Sequence, residues 1–153
     1  MKKFELQPVL ENKLVTINPL RENDFDRIYK IASDPLIWEQ HPVKDRYKKE
    51  VFAKYFKGAI ESGGAFLVLN AGTMQPIGCT RFYDLNESLS VIAIGYTFLS
   101  RDHWGTIYNS ALKSLMVNHA FKFVNNIIFQ VGIHNIRSQR AVEKLGAKKI
   151  GME

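Results

Sequence analysis

The chain has one cysteine, Cys79, so an internal disulfide is excluded, and a lone thiol fits a reducing compartment. No apolar run approaches the ~20 residues that a membrane-spanning helix requires. Met1-Lys2-Lys3 leads into mixed residues and not into an apolar stretch, so no signal peptide is expected and the expected location is cytoplasmic. No zinc-ligand spacing, arginine-rich run or interleaving of aromatic with basic residues is present, which disfavours a nucleic-acid partner. Repeats, linkers and low-complexity segments are also missing. Residues 1–153 are therefore expected to form one domain, long enough to bury roughly two thirds of its surface.

Acid is the other shortage. The formal net charge is +6 in a chain that is otherwise 46% hydrophobic and 24% charged, a composition that excludes disorder. After residue 100, eight bases (Arg101, Lys113, Lys122, Arg137, Arg140, Lys144, Lys148, Lys149) face only Asp102, Glu143 and Glu153. Such a half suits a polyanionic small ligand, and equally a solvated basic surface.

What is present is organised around Ile94 to Asn109, I-G-Y-T-F-L-S-R-D-H-W-G-T-I-Y-N. Ile94 to Leu99 is apolar or β-branched almost throughout, as a strand covered on both faces should be. Ser100 to His103 ends the run. From Gly105 to about Val124, Leu112, Leu115, Met116, His119, Ala120 and Phe123 mark one face of a helix. Strand, glycine-bearing loop and helix start place free backbone N–H groups and the positive helix end together, a spot suited to phosphate.

The remaining elements follow from period and turn chemistry. Leu14 to Leu20 alternates as a first strand, and a short helix after Arg21-Glu22-Asn23-Asp24 stops at Asp34-Pro35. Asp45 to Glu61 reads as a second helix with Val51, Phe52, Tyr55, Phe56, Ala59 and Ile60 inward and Lys48, Lys49, Lys54 and Lys57 in solvent. Ala65 to Leu69, Ile77 to Tyr83 and Leu89 to Leu99 are three strands joined by turn residues, an antiparallel meander. Ile127 to Val131 is a further buried strand, and Ile136 to Leu145 a last helix stopped at Gly146. The expected class is α+β (mixed α/β). Cys79 reads as buried and inert, and His119 as a hydrogen-bonded core histidine.

The first segment, with Trp104, Gly105 and Tyr108, and a second, N-I-R-S-Q-R-A-V-E-K-L-G from Asn135 to Gly146, together resemble the GNAT superfamily of N-acetyltransferases. The resemblance is to its ribosomal-protein N-terminal (RimJ/RimL-type) branch and runs from about Leu14 to Gly151. It implies a central, mostly antiparallel sheet with flanking helices, and transfer of acetyl from acetyl-CoA to a primary amine by direct attack in a ternary complex. The acceptor would be a protein N-terminus or a small amine. It also implies that the strand backbone at Tyr96, Phe98 and Leu99 pairs with the pantetheine arm. Trp104, Gly105, Thr106, Ile107, Tyr108 and Asn109 would hold the pyrophosphate. Asn135 would contact the cofactor arm, and the Ser138 hydroxyl would stabilise the departing thiolate as the catalytic residue. On residue type alone, Asn135 and Ser138 read equally well as helix caps. Trp38, Glu39, His41, Arg81 and Tyr83 are the implied acceptor contacts, with a packed Trp38 and two surface polar residues as the plain alternative. His103 and His134 flank the two loops. No metal is implied.

The chain departs from the family pattern at Asn109, where a small residue is usual, and at three further positions. Ala93 stands where a glutamate base is usual, Ile107 where a second glycine is usual, and Val142 where much of the superfamily has a tyrosine. Glu39, His41, a water relay or solvent would then have to take the acceptor's proton. The family's last strand is not found after Gly146, so an uncovered edge is expected, and with it either a homodimer or a mobile C-terminus. These departures keep open a non-catalytic acyl-CoA-binding module. The basic surface keeps open a ribosome- or nucleic-acid-surface binder.

Overall fold

We describe the protein from a computed structural model covering residues 3–105 and 107–129 together with Ile136 and Arg140. The strands are β1 (Leu10–Glu11), β2 (Val15–Pro19), β3 (Ala65–Asn70), β4 (Pro76–Asn86), β5 (Val91–Leu99) and β6 (Asn126–Phe129). The helices are α1 (Phe25–Ala32), α2 (Lys49–Ser62) and α3 (Ile107–Ala120). The six strands lie in sequence order in one sheet, antiparallel throughout except for the parallel pair β5–β6. This is a mixed α/β sheet with helices on both faces, the architecture that the resemblance implies.

Each face has its own core. On one side Val15, Ile17, Phe66, Val68, Phe82, Ile92 and Ile94 meet Leu112, Met116 and Ala120 of α3. On the other, Leu67, Leu69, Cys79 and Phe98 meet Ile28 and Ala32 of α1, Phe52, Phe56 and Ala59 of α2, and Ile37 and Trp38. The first five residues of β3 are buried because both faces are covered. His119 is 4% exposed, and its Nε2 lies 2.7 Å from the Glu5 carbonyl, as a core histidine should. Among the described residues no helix is long and apolar enough to cross a membrane.

Several boundaries move relative to the sequence reading. Helix α2 begins at Lys49, not Asp45. The preceding residues form turns, and the Tyr47 carbonyl accepts a hydrogen bond from the Tyr29 hydroxyl at 2.6 Å, tying that segment to α1. The helix is capped by Gly63, whose φ of +67° is a left-handed conformation that glycine adopts without strain. Helix α3 runs Ile107–Ala120 rather than Gly105 to Val124, since residues 121–123 form a turn. Strand β1, too short to show a period, was not legible. Asn135, Ser138, the expected last helix and the edge behind the homodimer expectation lie outside the described residues, as do Thr106 and His134.

One irregularity positions everything that follows. Between Cys79↔Phe98 and Arg81↔Gly95 the register slips by one residue, so Tyr96 and Thr97 together oppose Thr80. Tyr96 takes a φ of +54°, a left-handed conformation worth about 1–3 kcal/mol of strain in a non-glycine residue. This is a β-bulge. Strict alternation would send Ile92, Ile94, Tyr96 and Phe98 to one face. The extra residue instead leaves Ile92 and Ile94 under α3 and turns Phe98 and the Tyr96 ring toward α2.

Candidate active site

The bulge is held from α2. Tyr55, 6% exposed, donates its hydroxyl to the Tyr96 carbonyl, and burial raises that hydroxyl's pKa well above the ordinary tyrosine value, so it remains a donor. The Tyr96 ring is 41% exposed. The Arg81 guanidinium lies 3.8 Å from its centroid and 5.2 Å from that of Tyr55. Tyr83 meets Tyr96 edge-on at 5.1 Å, and burial pushes its hydroxyl up to about 12. Arg46 lies 5.6, 5.1 and 6.0 Å from the ring centres of Trp38, Tyr55 and Tyr96. Cys79 lies in the core below, its thiol pushed to about 11 by burial.

On the opposite face the bulge presents Thr97. Its Oγ1 lies 2.8 Å from Thr80 Oγ1 and accepts from Lys113 Nζ at 2.7 Å. Lys113 is 5% exposed, and burial pulls its amine down to about 7.

Beyond β5, Arg101–His103 forms a 3-10 turn leading to α3. The Trp104 indole donates to the Leu99 carbonyl at 2.9 Å, and the Ser100 amide donates to Ile77. Asn70 Oδ1 accepts from the Gly72 and Thr73 amides, so its Nδ2 faces His103 Nε2 at 3.3 Å. Nε2 must then accept, leaving the ring proton on Nδ1, which donates to Ser100 Oγ at 2.6 Å. His103 is thus a fastener of the loop. Gly105, at φ +115°, has nothing within 4 Å of where a β-carbon would stand. The first turn of α3 carries no acidic residue, and Ile107 is 56% exposed, so its side chain stands away from crowded backbone. These features suit an anion at the helix start.

The structure brings Arg81, Tyr83 and Tyr96 into one cluster and corrects the reading of others. Trp38 is 1% exposed with its indole N–H donated to the Ala32 carbonyl at 2.8 Å, so it is a core residue beneath the cluster rather than an acceptor contact. His41 packs edge-on against Trp38 at 5.0 Å, while Glu39 is exposed. The side chains of Phe98 and Leu99 are buried, leaving only their backbone to meet a ligand. Trp104, Gly105, Ile107, Tyr108 and Asn109 do stand together at the loop and helix start. Asn109 Oδ1 is buried without a hydrogen-bond partner among the described residues. The sequence reading missed Tyr55, counted there only as apolar helix face, and Arg46 and Lys113, which carry no signal in period or spacing.

A bulged central strand running through a loop into a helix start, within a sheet whose described strands are antiparallel except at β5–β6, defines an acetyltransferase-type α/β domain. The family described as "Acetyltransferase (GNAT) domain" matches residues 15–148, and the chain belongs to it. A putative acetyltransferase from T. thermophilus is 25% identical with a TM-score of 0.78, the match covering 99% of this chain and 80% of that one. RimJ from Mycobacterium smegmatis, in complex with CoA-disulfide, gives 18% identity and a TM-score of 0.69 over 90% of this chain and 71% of that one. Spermidine N-acetyltransferase from Vibrio cholerae, in complex with CoA and spermine, gives 17% and 0.69 over 92% and 84%. No curated protein matches significantly.

Proposed function

We propose that the protein transfers acetyl from acetyl-CoA to a primary amine by direct attack in a ternary complex, in the manner of the RimJ/RimL-type branch. The observation that carries this reading is the left-handed bulge at Tyr96, held by the Tyr55 hydroxyl one loop away from an acid-free helix start. Acetyl-CoA, when bound, supplies an acyl group on a sulfur leaving group. The β5 backbone from Tyr96 to Leu99 lines its arm. The amides that open α3 and the loop from Trp104 to Asn109 hold its pyrophosphate, with Thr106 and Asn135 as further contacts. Ser138 hydrogen-bonds the departing thiolate. Arg81, Tyr83 and Tyr96 face the acceptor. Ala93, 3% exposed, takes no proton, so the acceptor amine is deprotonated by Glu39, His41 or solvent before it attacks.

Calorimetric titration with acetyl-CoA, with desulfo-CoA and adenosine bisphosphate as controls, tests the first half of this reading. Micromolar binding of acetyl-CoA, followed by free thiol on adding an amine, is the expected result. Absence of binding at millimolar acetyl-CoA refutes it. Binding without thiol release from any amine would favour a non-catalytic acyl-CoA-binding module, the alternative that Ala93 motivates.

A further inference from the structure

Two arginines share one aromatic cluster. Among the described residues the ion pairs are Arg27–Asp24, Lys57–Glu61 and Arg101–Asp34, so neither Arg46 nor Arg81 has a carboxylate within 4.0 Å. Arg81 is 6% exposed, and its Nε has no hydrogen-bond partner among the described residues. Its Nη2 reaches the Tyr55 carbonyl, at 3.4 Å. Its charge therefore rests on the π faces of Tyr96 and Tyr55, and Arg46 leans on the same rings from its own loop. Burial, the largest influence, lowers the pKa of Arg46 and the neighbouring Arg81 charge adds to this, while Tyr55, Tyr96 and Asp45 act the other way. Asp45 acts on Arg46 from beyond ion-pair distance, and among the described residues no carboxylate touches either guanidinium of this half-buried aromatic setting.

We propose that this cluster is the anion subsite of the acceptor pocket, so that the acceptor is an amine bearing a carboxylate or phosphate, and polyamines are rejected. This rests on the acetyltransferase reading and specifies its substrate class. Arg46 and the exposed Tyr96 ring make the contact, while Arg81, beneath the ring, acts through its charge. A planar guanidinium held by aromatic rings is pre-organised for two-point binding of such a group. A spermidine-like cation would meet two positive charges with no carboxylate in contact with either among the described residues. The same field also addresses the missing glutamate: a positive neighbourhood lowers the pKa of the incoming ammonium, favouring the neutral amine that attacks. The ammonium loses one proton to solvent, the neutral amine attacks to form the N–C bond as the C–S bond breaks, and the second N–H proton passes to the departing thiolate, so that CoA leaves as the free thiol.

The test compares thiol release from acetyl-CoA with matched acceptors: L-phenylalanine against L-phenylalaninamide, phosphoethanolamine against ethanolamine, and spermidine. The carboxylate or the phosphate member should exceed its neutral partner in kcat/KM by about tenfold or more. Arg46→Gln should collapse that preference to a few-fold, and Arg46→Lys should restore part of it. The relative strength of the two anionic members separates carboxylate from phosphate recognition. Neutral members or spermidine used as well as the anionic ones would overturn the proposal. Binding of N-acetyl-L-phenylalanine and of its amide to the full chain, with and without CoA, is read by calorimetry alongside. Equal binding of the two, or none, overturns the anion subsite even where no acceptor turns over. Loss of acetyl-CoA binding with retained, Arg46-dependent carboxylate binding would instead overturn the acetyltransferase reading and leave the subsite standing.

Discussion

Replacing Lys113 by methionine should stabilise the protein at neutral pH, and the gain should vanish as pH rises. Lys113 is buried between α3 and β5, with its Nζ bonded to Thr97 Oγ1 at 2.7 Å and the Phe129 ring centre 5.8 Å away. No described carboxylate pairs with it. Burial pulls the amine from 10.5 to about 7. At about 1.4 kcal/mol per pH unit, that displacement penalises the folded, charged form by about 5 kcal/mol. Partial hydration of a buried ammonium lowers the measurable part to about 2 kcal/mol. The sign follows from linkage. The folded-state pKa lies below the unfolded one, so between about pH 7 and pH 10 the unfolded chain holds more protons at this site. The penalty is complete below pH 7 and is relieved as pH climbs through that window. Methionine has a similar length and no charge, and the Thr97–Thr80 hydroxyl pair at 2.8 Å leaves no orphaned donor behind. Urea unfolding at pH 7.0 should therefore move to a higher midpoint in Lys113→Met. The wild type should gain on the variant between pH 7 and pH 8.5, below the range where Cys79 adds its own opposite slope. A destabilised variant, or a stability difference independent of pH, would refute the reasoning and mean that the amine is paired or hydrated.

Two further perturbations address the bulge and the core beneath it. Tyr55→Phe removes the donor to the Tyr96 carbonyl; stability should fall by about 1–2 kcal/mol on thermal unfolding, and kcat/KM for acetyl transfer should fall with it. An unchanged kcat/KM would mean that the bulge conformation does not matter for turnover. Cys79 is buried with its thiol raised to about 11, so an aromatic disulfide reagent at pH 8 should label it only as fast as the protein unfolds. Immediate labelling of the native state would contradict the packing of β4 against α2.

The sequence by itself determined the elements whose signal is local. The meander of β3, β4 and β5 follows from apolar runs broken by turn residues, α3 from its 3.6-residue period, and the close of α2 from Gly63. The burial of His119 and Cys79 follows from the apolar company each keeps along the chain. The family, too, was legible, because Trp104, Gly105 and Tyr108 and the segment from Asn135 to Gly146 carry it in short motifs. The tertiary structure decided what depends on residues far apart in sequence. A one-residue slip against β4 turned Tyr96 and Phe98 away from the face of Ile92 and Ile94, and no periodicity within β5 announces it. Trp38 became core because Ala32 offered its carbonyl. Lys113 was buried because helix phase places it over Thr97, although lysine as a residue type belongs in water. Arg46 and Arg81, thirty-five positions apart, met over Tyr55 and Tyr96 only once the bulge had turned that ring toward α2. Local period and turn chemistry specify elements. Register and the pairing of distant charges follow only from which surfaces pack together.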